Sequence, residues 1–236
     1  MQDSDPSAQD ATNTRVMLDP LEARVLGCLI EKEATTPDVY PLSLNALVNA
    51  CNQKNNRAPV MELGEREVEG ALDRLRGKRL VTAFSGANAR AIKYKHRFGD
   101  RFPIEPLAQA MIAELMLRGP QTTAGLRGNC ERMAAVPDLA GCEALLVHLA
   151  ERAEPLVRKL PRQTGQKEAR WAQLLTGEPS AEDLAGAAEG VREPLKVAVA
   201  MTLPPEAETR LAALEAEVAA LKAELARLRK ALGETS

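Results

Sequence analysis

The stretch Ala91–Phe98 carries the residues best placed to do chemistry. Lys93, Lys95 and Arg97 alternate there with Ile92, Tyr94 and His96. Successive side chains of an extended strand point to opposite faces, so the spacing predicts three cations on one face. Such a row can neutralise phosphate groups, although a solvated strand face needs no ligand at all. Arg90, at the tip of the predicted hairpin, extends the row, and Lys54 and Arg57 lie in the polar turn Asn52–Pro59. A second hairpin gathers Arg158, Lys159, Arg162 and Lys167. Phosphate recognition through charge is the chemistry these residues share. It gives affinity that falls with salt and carries little sequence information.

Reactive chemistry has no such support. There is no P-loop and no GxGxxG. The two histidines, His96 and His148, stand at no recognisable motif spacing from a nucleophile or carboxylate. No catalytic residue, no cofactor and no enzymatic activity are expected. Cys28, Cys51, Cys130 and Cys142 form no CxxC pair, so no metal site is expected. They read as small buried apolar groups in a reducing cytoplasm. No apolar run approaches the roughly 20 residues of a membrane span, and Met1–Thr14 is polar without a hydrophobic signal segment. A cytoplasmic protein with no membrane partner is expected.

The net charge is −2 over 236 residues. It is +2 over residues 19–100 and +1 over 101–178, with both ends negative. That permits nucleic-acid binding without demanding it.

The elements that would position the cations occur twice, each time as three short helices followed by a hairpin. Asp19-Pro20-Leu21-Glu22 is a helix start with a capping-box pattern, and Leu21, Val25, Leu26, Leu29 and Ile30 form its apolar stripe. Ser43 caps a second helix, and Val68, Ala71, Leu72 and Leu75 mark a third over residues 64–78. Leu80–Phe84 and Ala91–Phe98 make the hairpin. The second copy opens at Glu105-Pro106, has a short helix capped by Thr122 or Thr123 and a third over residues 142–152, and ends in strands at residues 156–160 and 168–175. Trp171, on the return strand, is expected in the core or between the two units, the alternative being an anchor that contacts a partner. This order is that of a winged helix, which presents one helix and one wing to a partner. The third helices weaken a simple DNA reading, because Glu65, Glu67 and Glu69 crowd the first turns where a recognition helix would meet phosphates. They also favour the positive helix end, which is a sufficient structural reason for them.

After an Ala/Glu/Gly/Pro-rich linker, Leu211, Leu214, Val218, Leu221, Leu225, Leu228 and Leu232 alternate steps of three and four. This is a heptad seam. The flanking pairs Arg210–Glu215, Glu217–Lys222 and Glu224–Arg229 are opposite in sign for parallel strands, so a parallel coiled-coil homodimer is expected. The alternative is a lone helix folded back on its own domain.

Long words in fixed order resemble the YceH family of bacterial proteins. They include Leu18-Asp19-Pro20-Leu21-Glu22-Ala23-Arg24-Val25-Leu26-Gly27, Tyr40-Pro41-Leu42-Ser43-Leu44-Asn45-Ala46-Leu47, Cys51-Asn52-Gln53-Lys54-Asn55-Asn56-Arg57 and Glu114-Leu115-Met116-Leu117-Arg118-Gly119-Pro120-Gln121-Thr122. The resemblance implies a tandem winged-helix fold and transfers no ligand or catalytic residue. The expected architecture is mainly α with small β-hairpins (α+β). It comprises a disordered segment 1–17, winged-helix domains 18–102 and 103–178, a linker 179–206 and a coiled-coil helix 207–233. The function expected first is duplex DNA binding, in the manner of a transcription regulator, with phosphate contacts through the basic wings. The alternative is a protein-interaction module that binds no DNA.

Overall fold

A computed structural model describes residues 15–85, 91–162 and 166–179. Arg90, the linker beyond residue 179 and all the heptad leucines lie outside the described residues, which fall within one unit, Met1–Val191.

The fold mixes helices with small antiparallel sheets. Helix α1 (Pro20–Thr35) begins where local sequence dictates: Asp19 Oδ1 accepts the Glu22 N–H at 2.7 Å, and Glu22 Oε2 accepts the Asp19 N–H at 2.7 Å. A 3₁₀ turn (Pro37–Val39) leads to the two-residue strand β1 (Leu42–Ser43) and to α2 (Leu44–Cys51), whose first turn is capped by Ser43 Oγ accepting from Ala46 N at 3.3 Å. Helix α3 (Glu65–Gly77), strands β2 (Val81–Phe84) and β3 (Lys93–His96) and the short α4 (Phe98–Arg101) complete the first half. The second half holds α5 (Pro106–Arg118), α6 (Thr123–Cys130), α7 (Leu139–Ala150), β4 (Val157–Lys159) and β5 (Trp171–Gln173).

The halves repeat one another in detail. In the first sheet, ordered β1-β3-β2, Leu42 pairs with Tyr94 immediately before the α2 cap. In the second half Gln121, immediately before the α6 cap Thr122, bridges Trp171 in the same way, with N–H···O distances of 3.0 and 2.7 Å.

Contrary to the single stripe expected, α1 is buried all round from Glu22 to Ile30 and on to Glu31. The reason is its position: α2 and α3 cover one side and α5 packs along the other. Gly27 allows that approach, since a Cβ there would lie 3.0 Å from Leu117 Cγ on α5. One core runs through both halves, from Val25 and Leu72 to Leu146 and Trp171, which is 2% exposed. The third helix of the second half starts at Leu139 rather than at Cys142, because Asp138 acts as its cap, accepting from Gly141 N at 2.8 Å. All four cysteines are buried and free.

Candidate nucleic-acid interface

The first sheet sorts its side chains by parity. Val81 pairs with His96, Ala83 with Tyr94 and Leu42 with Tyr94, and this set faces the core. The opposite set faces solvent: Thr82 opposite Lys95, and Phe84 opposite Lys93. Lys93 and Lys95 therefore stand about 6.6 Å apart along the strand on one face. Both are exposed, and neither has a carboxylate partner among the described residues. The strand that carries them is anchored from behind. Tyr40 Oη accepts the His96 N–H at 2.8 Å. His96 Nδ1 accepts the Phe98 N–H at 3.2 Å, which leaves the proton on Nε2, and Glu33 lies 2.7 Å from Nε2. Burial pushes the His96 pKa below its ordinary value, with Glu33 opposing.

The other predicted cations divide. Arg97 is exposed, but its Nε sits 2.6 Å from Asp100 Oδ2. Beside it runs a groove of about 530 Å³ lined by Asp73, Arg76, Arg79 and Arg97, where Asp73 pairs with Arg76 at 3.0 Å. Lys54 is exposed in the loop after α2. In the second half Arg158 pairs with Glu178, and Lys159 pairs with Glu143 while lying 5.4 Å from the Trp171 ring centroid. Glu143 also accepts from Thr123 Oγ1, and the cation of Lys159 helps hold its carboxyl below the usual range against the opposing effect of burial. Arg162 and Lys167 are exposed in the stretch between β4 and β5. Among the described residues, Lys93 and Lys95 thus stand side by side without a carboxylate partner, whereas Arg158 and Lys159 are paired with Glu178 and Glu143.

Arg57 requires a correction. Expected to meet phosphate, it is buried, and its side chain is fully occupied. Nη2 lies 2.5 Å from Glu31 Oε2, Nη1 lies 3.2 Å from Glu31 Oε1, and Nε donates to Ala50 O at 3.1 Å. Arg132 Nη1 reaches the same Glu31 at 2.6 Å, and its Nη2 bonds Glu114 on α5. Two arginines and two buried carboxylates thus form one network between the halves. Ala58 N donates to Leu117 O at 2.8 Å, and Arg118 Nη1 donates to Asn56 Oδ1 at 3.0 Å, so the whole polar turn docks on the end of α5. Burial alone would raise both carboxyl pKa values. Arg57, with Arg132 adding, outweighs it at Glu31 and holds that group below the ordinary range, whereas Glu114, helped chiefly by Arg132, stays above it.

Phe84 is a further member of this face, beyond the cations expected there. It is 56% exposed on the same face as Lys93 and Lys95. The signal was available, because Val81 and Ala83 turn inward and the next residue must turn out. The acidic character expected of the third helix is present: Glu65, Glu69 and Asp73 are exposed along α3. Among the described residues no cluster of three or more metal-ligating side chains occurs, and no helix is long and apolar enough to cross a membrane.

Comparison with known proteins bears on identity. Residues 18–166 match the family described as "Protein of unknown function, DUF480". The chain is 53% identical over 172 residues to a UPF0502 protein of Citrifermentans bemidjiense, covering 73% of this chain and 80% of that one. It is 49% identical over 204 residues to a UPF0502 protein of Geobacter sulfurreducens, covering 86% and 89%. A UPF0502 protein of Aeromonas hydrophila is 47% identical over 208 residues, covering 86% and 90%. With the matched words spread over both halves, the chain belongs to the DUF480 (UPF0502) family, the one to which the YceH proteins belong.

Proposed function

We propose that this chain is a non-enzymatic tandem winged-helix protein that binds DNA through the outward face of its first sheet. In this reading the seam Leu211–Leu232 joins two copies into a parallel homodimer, as suits a cytoplasmic transcription regulator. Support for the fold comes from the twice-repeated order of helix, short pairing segment, two helices and hairpin. The observation that carries the binding is the pair Lys93 and Lys95, exposed on one face and free of carboxylates among the described residues. The carboxylates of α3 make the wing, not the third helix, the contacting element, so backbone contacts dominate and base readout is slight.

A protein-interaction role is the second reading. It is favoured by the exposed Glu65 and Glu69 on α3 and by the pairing of Arg158 and Lys159 within the second half.

A titration of the full chain against random single-stranded and duplex DNA at low salt separates the two. Binding tighter than about 100 μM is expected, in the ordinary non-specific range. Replacing both Lys93 and Lys95 with alanine should reduce the salt slope by about 1.4 to 1.8, the value for two lost phosphate contacts. Absence of binding to both forms, or a double variant indistinguishable from the parent, refutes the DNA reading.

A further inference from the structure

We infer that the outward face of the first sheet takes a single DNA strand, with a base stacked on Phe84 and the flanking phosphates on Lys93 and Lys95. This rests on the DNA reading above and names its substrate form.

The chain has three phenylalanines. Phe98 and Phe102 are 0% and 2% exposed and pack together with ring centroids 4.9 Å apart. Phe84, at 56% exposed, forgoes the burial that drives the other two inward. Its place is specific. Phe84 is the Cα partner of Lys93, so ring and ammonium share a face at cross-strand distance. Lys95, two residues along, shares that face opposite Thr82. Phe84 also lies on β2, an edge strand of the sheet, so its ring is open on one side. Ile92, at 52% exposed, adds apolar surface at the same end of the hairpin.

An exposed ring beside a row of two cations matches a nucleotide whose base face is free. Every base has a π-face, so stacking on an aromatic side chain beside a basic track is the sequence-tolerant way to hold a single strand. In a duplex those faces are covered by neighbouring base pairs, and a side chain reaches them only by prying a step open. A duplex also brings a second phosphate backbone towards the molecule, and α3, packed against β2, offers Glu65 and Glu69 to solvent, with Asp73 paired to Arg76. A single strand has one backbone to place, and the lysines take it.

The test titrates the full chain with an oligothymidylate strand and with a random duplex, by fluorescence anisotropy over a range of salt. Phe84→Ala, Phe84→Leu and Phe84→Tyr are compared with the parent, and each variant's fold is checked by thermal melting. The single strand is expected to bind tighter than the duplex. Ala and Leu at position 84 should each weaken it by about tenfold, the effect of one lost base stack, while leaving the salt slope unchanged. Tyr should bind like the parent. A duplex bound as tightly as the single strand overturns the inference. So do parent-like Ala and Leu variants, or a Leu variant alone that keeps full affinity, which would mark a merely apolar contact. In those cases a weakened Lys93/Lys95 variant would leave the DNA reading standing. Failure of the parent to bind either form removes both.

Discussion

Replacing Glu31 with alanine is expected to lower the free energy of unfolding by about 3–5 kcal/mol, the cost of breaking a buried ion pair from one side. Glu31 is 1% exposed and Arg57 is 0% exposed at the side chain, so the guanidinium would lose its buried counter-charge and keep only the neutral acceptors Ala50 O, Asn56 O and Gln53 Oε1. Arg132 loses its 2.6 Å contact at the same time and retains only Glu114. Glu31→Gln keeps an acceptor without the charge and should fall between parent and alanine. Urea unfolding followed by far-UV circular dichroism and by Trp171 fluorescence measures the change. Because one core serves both halves, the two signals should move together. A loss below about 1 kcal/mol, in the range of an exposed pair, would contradict the network. The pH dependence has a definite sign. Glu31 has a folded pKa below the ordinary value, so its contribution is present above about pH 4.3, where an unfolded glutamate is charged, and is lost as pH falls through the folded value. Glu114, with its folded pKa raised, works the other way, since protonation favours the folded state as pH falls through its higher folded value. Removing Glu31 should therefore flatten the acid limb of the stability profile.

Trp171→Ala is expected to cost about 3–5 kcal/mol, as for other large aromatic deletions from a core. The ring is 2% exposed, and its Nε1 donates to Thr123 Oγ1 at 3.2 Å with Glu143 Oε2 at 3.4 Å. The backbone of Trp171 joins β4 to Gln121, so the side chain braces the point where hairpin, α6 and α7 meet. Trp171→Phe keeps most of the apolar contact and loses the donor, and should cost much less. Thermal melts by circular dichroism give the comparison. Equal losses in the two variants would mean that the indole N–H, not the packing, carries the stability.

The parts of this fold that the sequence made legible are those set by near neighbours. The capping box of Asp19 and Glu22, the cap at Ser43 and the parity of Lys93 and Lys95 each need only a few residues to be specified, and each is found as expected. The burial of Arg57 is not legible locally, because it depends on Glu31, 26 positions away, and on Arg132 across the interface with α5. A polar turn rich in asparagine looks solvated until a second half packs on it. Strand β1 escaped notice because two residues carry no period, and the start of α7 was displaced because Pro137-Asp138 reads equally as a break and as a cap. The exposure of Phe84 followed from the same parity that placed the lysines, applied to the partner strand. The pairing of Lys159 with Glu143 joins a strand to a helix, and no spacing in the chain announces it.

The most direct test of the account is a map of the surface that nucleic acid touches. Backbone amide shifts of the labelled full chain, followed by nuclear magnetic resonance during titration with an oligothymidylate strand, provide it. Shifts concentrated at Thr82, Phe84, Lys93 and Lys95, with Glu65, Glu69 and Asp73 on α3 unmoved, are the predicted result. Shifts centred on α3 or on the β4–β5 hairpin, with the first sheet silent, would contradict it.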